Sequence, residues 1–154
     1  MLIIVLMPLT IGIKMKAYIT ILNWNNYQDT LECFESVFKQ DYDDFQVILC
    51  DNDSSDNSID HFIRWSEGQY SSPIAESSAL TSLVSPSVKK PISYALLERD
   101  QAEKGNISNA EVDLIMIKTG GNLGFAGGNN VGLRYALKRD DFDYIWLLNN
   151  DTIV

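Results

Sequence analysis

The stretch "FQVILCDND", residues 45–53, decides the fold. It runs almost wholly apolar from Phe45 to Cys50 and then breaks into Asp51, Asn52 and Asp53. A strand without polar alternation is one buried on both faces, which is how strands lie in a parallel sheet sandwiched between helices. A polar cluster at such a strand's carboxyl end marks the edge where ligands bind in open α/β sheets.

The pattern recurs outward from this stretch. Upstream, "AYITILN" at 17–23 is rich in β-branched and aromatic residues and ends in "NWNN". Between the two strands, "YQDTLECFESVFKQ" places Leu31, Phe34, Val37 and Phe38 at helical spacing, with Asp29 or Thr30 as caps. Downstream, "NSIDHFIRWSE" spaces Ile59, Phe62, Ile63 and Trp65 as a second helix, with Asp56 or Ser58 capping it. A Ser/Pro-rich stretch at about 66–90 reads as a long surface loop. "ISYALLER" and "VDLIMIKT", around the turn-prone "EKGN", read as two further strands. The Gly/Asn run "GGNLGFAGGNN" reads as a loop leading into the helix "VGLRYALKR", and "FDYIWLLNND" as the last buried strand. This alternation is that of a doubly wound α/β sheet.

The chain has 154 residues, 45% hydrophobic and 21% charged, enough for one domain. A net charge of -9 and a pI near 4.4 argue against nucleic-acid phosphates or an anionic membrane as partner, and suit a divalent cation. Cys33 and Cys50 make no metal-ligand spacing and read as buried, reduced thiols of a cytosolic protein. The apolar opening, residues 1–15, is short for a membrane span and lacks a signal peptide's basic start. It reads as an extension ahead of a natural start at Met15, with a membrane-associated segment or an added ordered element as the other readings.

Three strand ends carry polar clusters: residues 23–26, 51–56 and 149–151. A calcium loop at 51–62 fails, because its sixth position is Asp56 and its twelfth Phe62. Helix capping accounts for the later residues and leaves Asp51 as a carboxylate able to accept from a nucleobase N–H or a ribose hydroxyl. The glycines at 121, 124 and 127 do not give a dinucleotide or P-loop order. Before a helix they read either as a flexible turn or as bare backbone approaching a phosphate or sugar. Asp151, with Asn149, reads as a turn or as a ligand of Mg²⁺ or Mn²⁺ bridging a diphosphate. His61 reads as structural. Trp65 and Trp146 read as core, whereas Trp24 sits close enough to a strand end to be an exception.

Taken in order, "ITILNWNN", "LCDNDSSDNS", "TGGNLGFAGGNN" and "WLLNNDT" resemble the donor-binding half of a family 2 glycosyltransferase, nearest its rhamnosyltransferase-like branch. The resemblance runs from about Lys16 to Val154. It implies a GT-A, Rossmann-like sheet with flanking helices over residues 16–154, ending after the DxD-type strand. It also implies an inverting transfer from a nucleoside diphosphate sugar, dTDP-rhamnose among them, to a glycan or lipid-linked acceptor. Asn23 and Asp51 then match the base- and ribose-side positions, and Asn122, Gly124 and Asn130 the donor-pocket positions. Asn149 stands where the family has the first Asp of its DxD, leaving Asp151 as the metal carboxylate, and Asn129 stands where many relatives have Arg. The family's catalytic base falls beyond Val154, so the expectation is an incomplete enzyme, cytoplasmic or at the inner face of a membrane. The alternative is a non-catalytic nucleotide-binding or partner-binding α/β module.

Overall fold

A computed structural model of the protein describes residues 3–5, 15–70, 81–105 and 111–154. Six strands form one sheet: β1 (Ile3–Val5), β2 (Ala17–Asn23), β3 (Phe45–Asp51), β4 (Tyr94–Glu98), β5 (Leu114–Lys118) and β6 (Tyr144–Asn149), in the order β1-β6-β2-β3-β5-β4. All neighbours from β6 to β4 run parallel, and β1 pairs antiparallel on the outer edge of β6, with Ile4 opposite Ile145. The amino-terminal extension therefore supplies an edge strand. The rest of its first 14 residues lie outside the described ones.

The pleat sorts side chains onto the two faces. Ile19, Ile21, Val47, Leu49, Leu114 and Met116 point to one face, where α1 (Tyr27–Val37) and α2 (Ser58–Ser66) cover them with Leu31, Phe34, Phe62 and Trp65. Tyr18, Ile48, Cys50, Ile115 and Ile117 point to the other, beneath α4 (Arg99–Lys104) and α5 (Gly124–Arg139). The result is the expected three-layer α/β arrangement. Both cysteines are buried and unbridged.

Four local readings change. Helix α1 starts at Tyr27 after Asn26, whose side-chain amide donates to Asp29 Oδ2 at 2.7 Å, so neither Asp29 nor Thr30 is the cap. At α2 the cap residue is Asn57, in the left-handed conformation, and Asp56 Oδ1 accepts the backbone N–H of Ser58 at 3.1 Å. Between β4 and β5 stands a helix, α4, in place of a turn. Its six residues are too few for a visible periodicity, yet Gln101 Oε1 accepts the Glu98 N–H at 2.8 Å and Gly105 ends it at φ +70°. Finally, α5 begins at Gly124, seven residues before the helical pattern starts at Val131.

The early start of α5 explains part of its glycine run. A Cβ on Gly132 would meet Thr20 Cγ2 at 2.8 Å and Cys50 Sγ at 3.0 Å, and one on Gly128 would clash with Leu22. These two glycines, one turn apart, let α5 lie directly on β2 and β3. Their low helix propensity is overridden by that packing.

The Ser/Pro-rich stretch is more anchored than a surface loop would be, apart from residues 71–80, which lie outside the described ones. Thr81–Val84 form a short helix, α3. The segment after it is held by Glu35, a fully buried carboxylate on α1. Glu35 accepts from Trp65 Nε1 at 2.7 Å, Ser87 Oγ at 2.5 Å and the Val88 N–H at 2.7 Å, and it pairs with Lys90 Nζ at 3.5 Å. Lys90 also lies over the Trp65 ring. Burial pulls the Lys90 ammonium down to about 8, an effect that Glu35 opposes. No helix among the described residues is long and apolar enough to cross a membrane.

Candidate functional site at the carboxyl ends of the strands

Because β2, β3 and β6 are parallel and adjacent, their polar ends meet on one edge of the sheet. A cleft of about 480 Å³ opens there, between those ends and the start of α5. That size suits a small-molecule ligand. Leu22 and Leu148 floor it, Asn26, Asn52, Asn149 and Asn150 stand around it with Asp151, and Asn122, Gly124 and Phe125 form the α5 side. Trp24 and Phe125 are 55% and 65% exposed, so two aromatic faces stand at the cleft without protein cover.

A continuous hydrogen-bond chain underlies this edge. Asn150 Nδ2 donates to Thr30 Oγ1 at 3.0 Å, and Thr30 Oγ1 donates to Asn23 Oδ1 at 2.8 Å. Asn23 Nδ2 in turn donates to Asp51 Oδ1 at 2.9 Å and to Ser54 Oγ at 3.0 Å. Ser54 closes a tight turn onto Asp51, its Oγ donating to Oδ1 at 2.6 Å and its N–H to Oδ2 at 3.1 Å. The ends of β6, β2 and β3 are thereby locked in register with one another.

This chain sorts the expected site residues. Asn122, Gly124, Asn149 and Asp151 line the cleft together. Asn23 is fully buried, with both ends of its amide engaged, and one end is bonded to Asp51. Asp51 is 4% exposed and faces an adjoining depression lined by Asp53, Ser54, Glu98, Lys118 and Gly120. Asn130 is exposed on α5 and does not line the cleft. Asn129 is buried and donates to the Phe125 carbonyl at 2.9 Å within its own helix. His61 stacks on Tyr27 with ring centroids 3.8 Å apart.

Sequence reasoning passed over Asn52. Its Nδ2 donates to Asn122 Oδ1 at 3.0 Å and its Oδ1 accepts the Leu123 N–H at 3.0 Å, while Asn122 Oδ1 accepts the Gly124 N–H at 2.9 Å. Two N–H groups at the start of α5 are thus already taken by asparagine side chains and are not bare donors for a phosphate. Phe125, Asn26 and Asn150 were also passed over individually: the two asparagines were signalled only by the polar strand ends they belong to, and Phe125 only by its place in the Gly/Asn run.

Among the described residues, no three His, Cys, Asp or Glu side chains gather as a metal centre. Asp151 is the carboxylate at the cleft, exposed on the turn that follows β6. Its charge reaches the neighbouring Cys33 thiol, which is pushed up to about 12, by burial first and by Asp151 second. Mg²⁺ is commonly held by one or two carboxylates completed by substrate phosphates and water. One carboxylate beside asparagine amides fits a cation of that kind, arriving with a phosphorylated ligand.

Comparison with curated proteins gave no match. The parallel sheet between two helix layers, with polar clusters at the carboxyl ends of its strands, is a Rossmann-like arrangement of the GT-A kind. Residues 18–73, which take in α1, β3, α2 and all but the first residue of β2, match the family model for glycosyl transferase family 2, and this match supports a glycosyltransferase activity in general terms.

Proposed function

We propose that the protein binds a nucleoside diphosphate sugar at this cleft as the donor site of a glycosyltransferase. The observation that carries the reading is the convergence of three locked strand ends and the α5 start on one cleft beside the segment that matches the family. Asp51, oriented by Asn23 and Ser54 and facing the depression that adjoins the cleft, is the group for a base N–H or ribose hydroxyl reaching across that edge. Trp24 and Phe125 offer faces on which flat or C–H-rich parts of the ligand can lie. The cleft asparagines supply neutral donors and acceptors for hydroxyls.

Asp151, with the Asn149 side-chain oxygen, would hold Mg²⁺ or Mn²⁺. When bound, the cation supplies charge neutralisation to the departing diphosphate. Transfer to a glycan or lipid-linked hydroxyl by inverting displacement requires a general base, for which none of the cleft groups is assigned. A deoxythymidine diphosphate sugar such as dTDP-rhamnose is the donor that the resemblance to the rhamnosyltransferase-like branch implies, and polysaccharide biosynthesis at the inner membrane face is the matching setting.

Isothermal titration with UDP and dTDP, each with and without Mn²⁺, tests the reading. Binding that needs the metal and is lost in Asp151→Ala supports it. Binding indifferent to both metal and Asp151 supports a non-catalytic nucleotide-binding module instead. Absence of binding in a folded sample refutes the donor-site assignment.

A further inference from the structure

Resting on the nucleotide-sugar reading above, we infer that Thr30 is a positioning residue of the donor site. Its hydroxyl ties the turn that carries Asp151 to the strand end that carries Asp51, and so couples cation binding to nucleotide binding. Thr30 lies on the side of α1 that runs along the chain leaving β6. Asn26, Thr30, Cys33 and Ser36 recur at helical spacing, which sets them on one side of the helix. Each meets that chain: the Asn26 carbonyl accepts Asn150 Nδ2 at 3.5 Å, Thr30 Oγ1 accepts it at 3.0 Å, and Ser36 Oγ accepts the Val154 N–H at 3.2 Å. Cys33 Sγ stands 3.9 Å from the Asn149 carbonyl oxygen. Asp151 is itself exposed at the cleft, so the place of its carboxylate depends on how the residues beside it are held.

Thr30 also reaches the Asp51 side. Its single hydroxyl proton has two acceptors in range, Asn23 Oδ1 at 2.8 Å and the Asn26 carbonyl at 3.0 Å. The Asn26 carbonyl already accepts the Thr30 backbone N–H at 3.3 Å. Asn23 is fully buried and spends its Nδ2 hydrogens on Asp51 and Ser54, so its Oδ1 needs a donor, and a buried acceptor left without one is costly. The proton therefore belongs to Asn23. Asn150, Thr30 and Asn23 then donate in one direction, towards the Asp51 carboxylate, an order in which each bond polarises the next. A helix threonine bonded only to its own preceding turn would make no such link.

The test is isothermal titration of the full chain with UDP and dTDP, each with and without Mn²⁺. It compares the wild type with Thr30→Val, Thr30→Ser, Asn150→Ala and the Thr30→Val, Asn150→Ala double variant. Thr30→Val keeps the side chain's shape and removes the hydroxyl. It should cut the factor by which Mn²⁺ raises nucleotide affinity about tenfold, the scale on which groups behind a metal ligand act. Metal-free affinity should change far less, because Asp51 keeps both bonds from Ser54. Thr30→Ser should restore the factor. Asn150→Ala should cause the same loss and the double variant no further one, as two members of a single link do. An untouched Mn²⁺ effect in Thr30→Val, an equal loss with and without metal, or additive losses in the double variant would overturn the inference and leave the donor-site reading intact. Should Thr30→Val fail to fold, Asn150→Ala decides alone, an unchanged Mn²⁺ effect there being the overturning result. A wild-type chain that binds neither nucleotide, or binds them without regard to Mn²⁺, would overturn both together.

Discussion

Asn52 Nδ2 donates to Asn122 Oδ1 across 3.0 Å, joining the residue that follows β3 to the loop that precedes α5. The same asparagine accepts the Leu123 N–H, so one side chain both ends a strand and starts a helix. Asn52 is 2% exposed, and removing it strands buried partners. Asn52→Ala should therefore destabilise the fold by about 1–3 kcal/mol, read as a lower urea midpoint. It should also weaken nucleotide binding, because Asn122 and Gly124 at the cleft lose their anchor. A variant with wild-type stability and affinity would show that the contact positions nothing.

The α5 glycines make a paired prediction. Gly132→Ala forces a methyl against Thr20 and Cys50 and should cost about 1–3 kcal/mol. Gly121→Ala meets nothing within 4 Å and should leave stability unchanged. Thermal melts of the two variants separate a packing role from a merely flexible one.

Glu35 ties the segment after α3 to the α1 and α2 layer. Replacing it with alanine strands the Trp65 indole N–H and leaves Lys90 without its buried counter-charge. The expected loss is about 3 kcal/mol, together with faster proteolysis within residues 85–90. Unchanged cleavage there would mean that the segment is held by its apolar contacts alone.

Alkaline pH should unfold the protein early. Burial raises the Cys33 and Cys50 thiols from 9.0 to about 12 and the Tyr135 phenol from 10.0 to about 12. Tyr18 moves in the same direction, through burial first and its bond to Asp141 second. In each case the unfolded chain loses its proton first, so the stability is whole below pH 9 and declines as pH rises towards 12. Lys90 acts oppositely: the unfolded chain holds its proton longer, so its contribution improves between pH 8 and 10.5. The thiols and phenols outnumber it, and each thiol should contribute about 1 kcal/mol per pH unit above 9. Cys50→Ala should flatten the decline in a urea midpoint measured from pH 8 to 10.5. An undiminished slope in that variant would assign the decline to the other groups.

Much of this molecule is set by local pattern. The largely apolar runs at 17–22 and 45–50, rich in β-branched residues, read as strands buried on both faces, and the spacing of Leu31, Phe34, Phe62 and Trp65 as helices laid on them. Parallel strands with their polar residues at the carboxyl end must bring those residues to one edge, so the position of the cleft was legible before any coordinates. What the pattern could not reveal is which polar residue faces the ligand and which faces the protein. Asn23 and Asn149 end neighbouring parallel strands, yet the first is sealed beneath the cleft and the second stands open in it. That difference depends on Thr30 and Asp51 arriving from elements 7 and 28 residues away, a long-range matter. The glycine run likewise shows its composition but not its use. Only the seating of α5 on Leu22, Thr20 and Cys50 makes Gly128 and Gly132 packing residues and leaves Gly124 at the cleft. Alternation and composition are properties of neighbours in the chain and determine the layers. Burial and hydrogen-bond partnership are properties of neighbours in space, and here they decide the site.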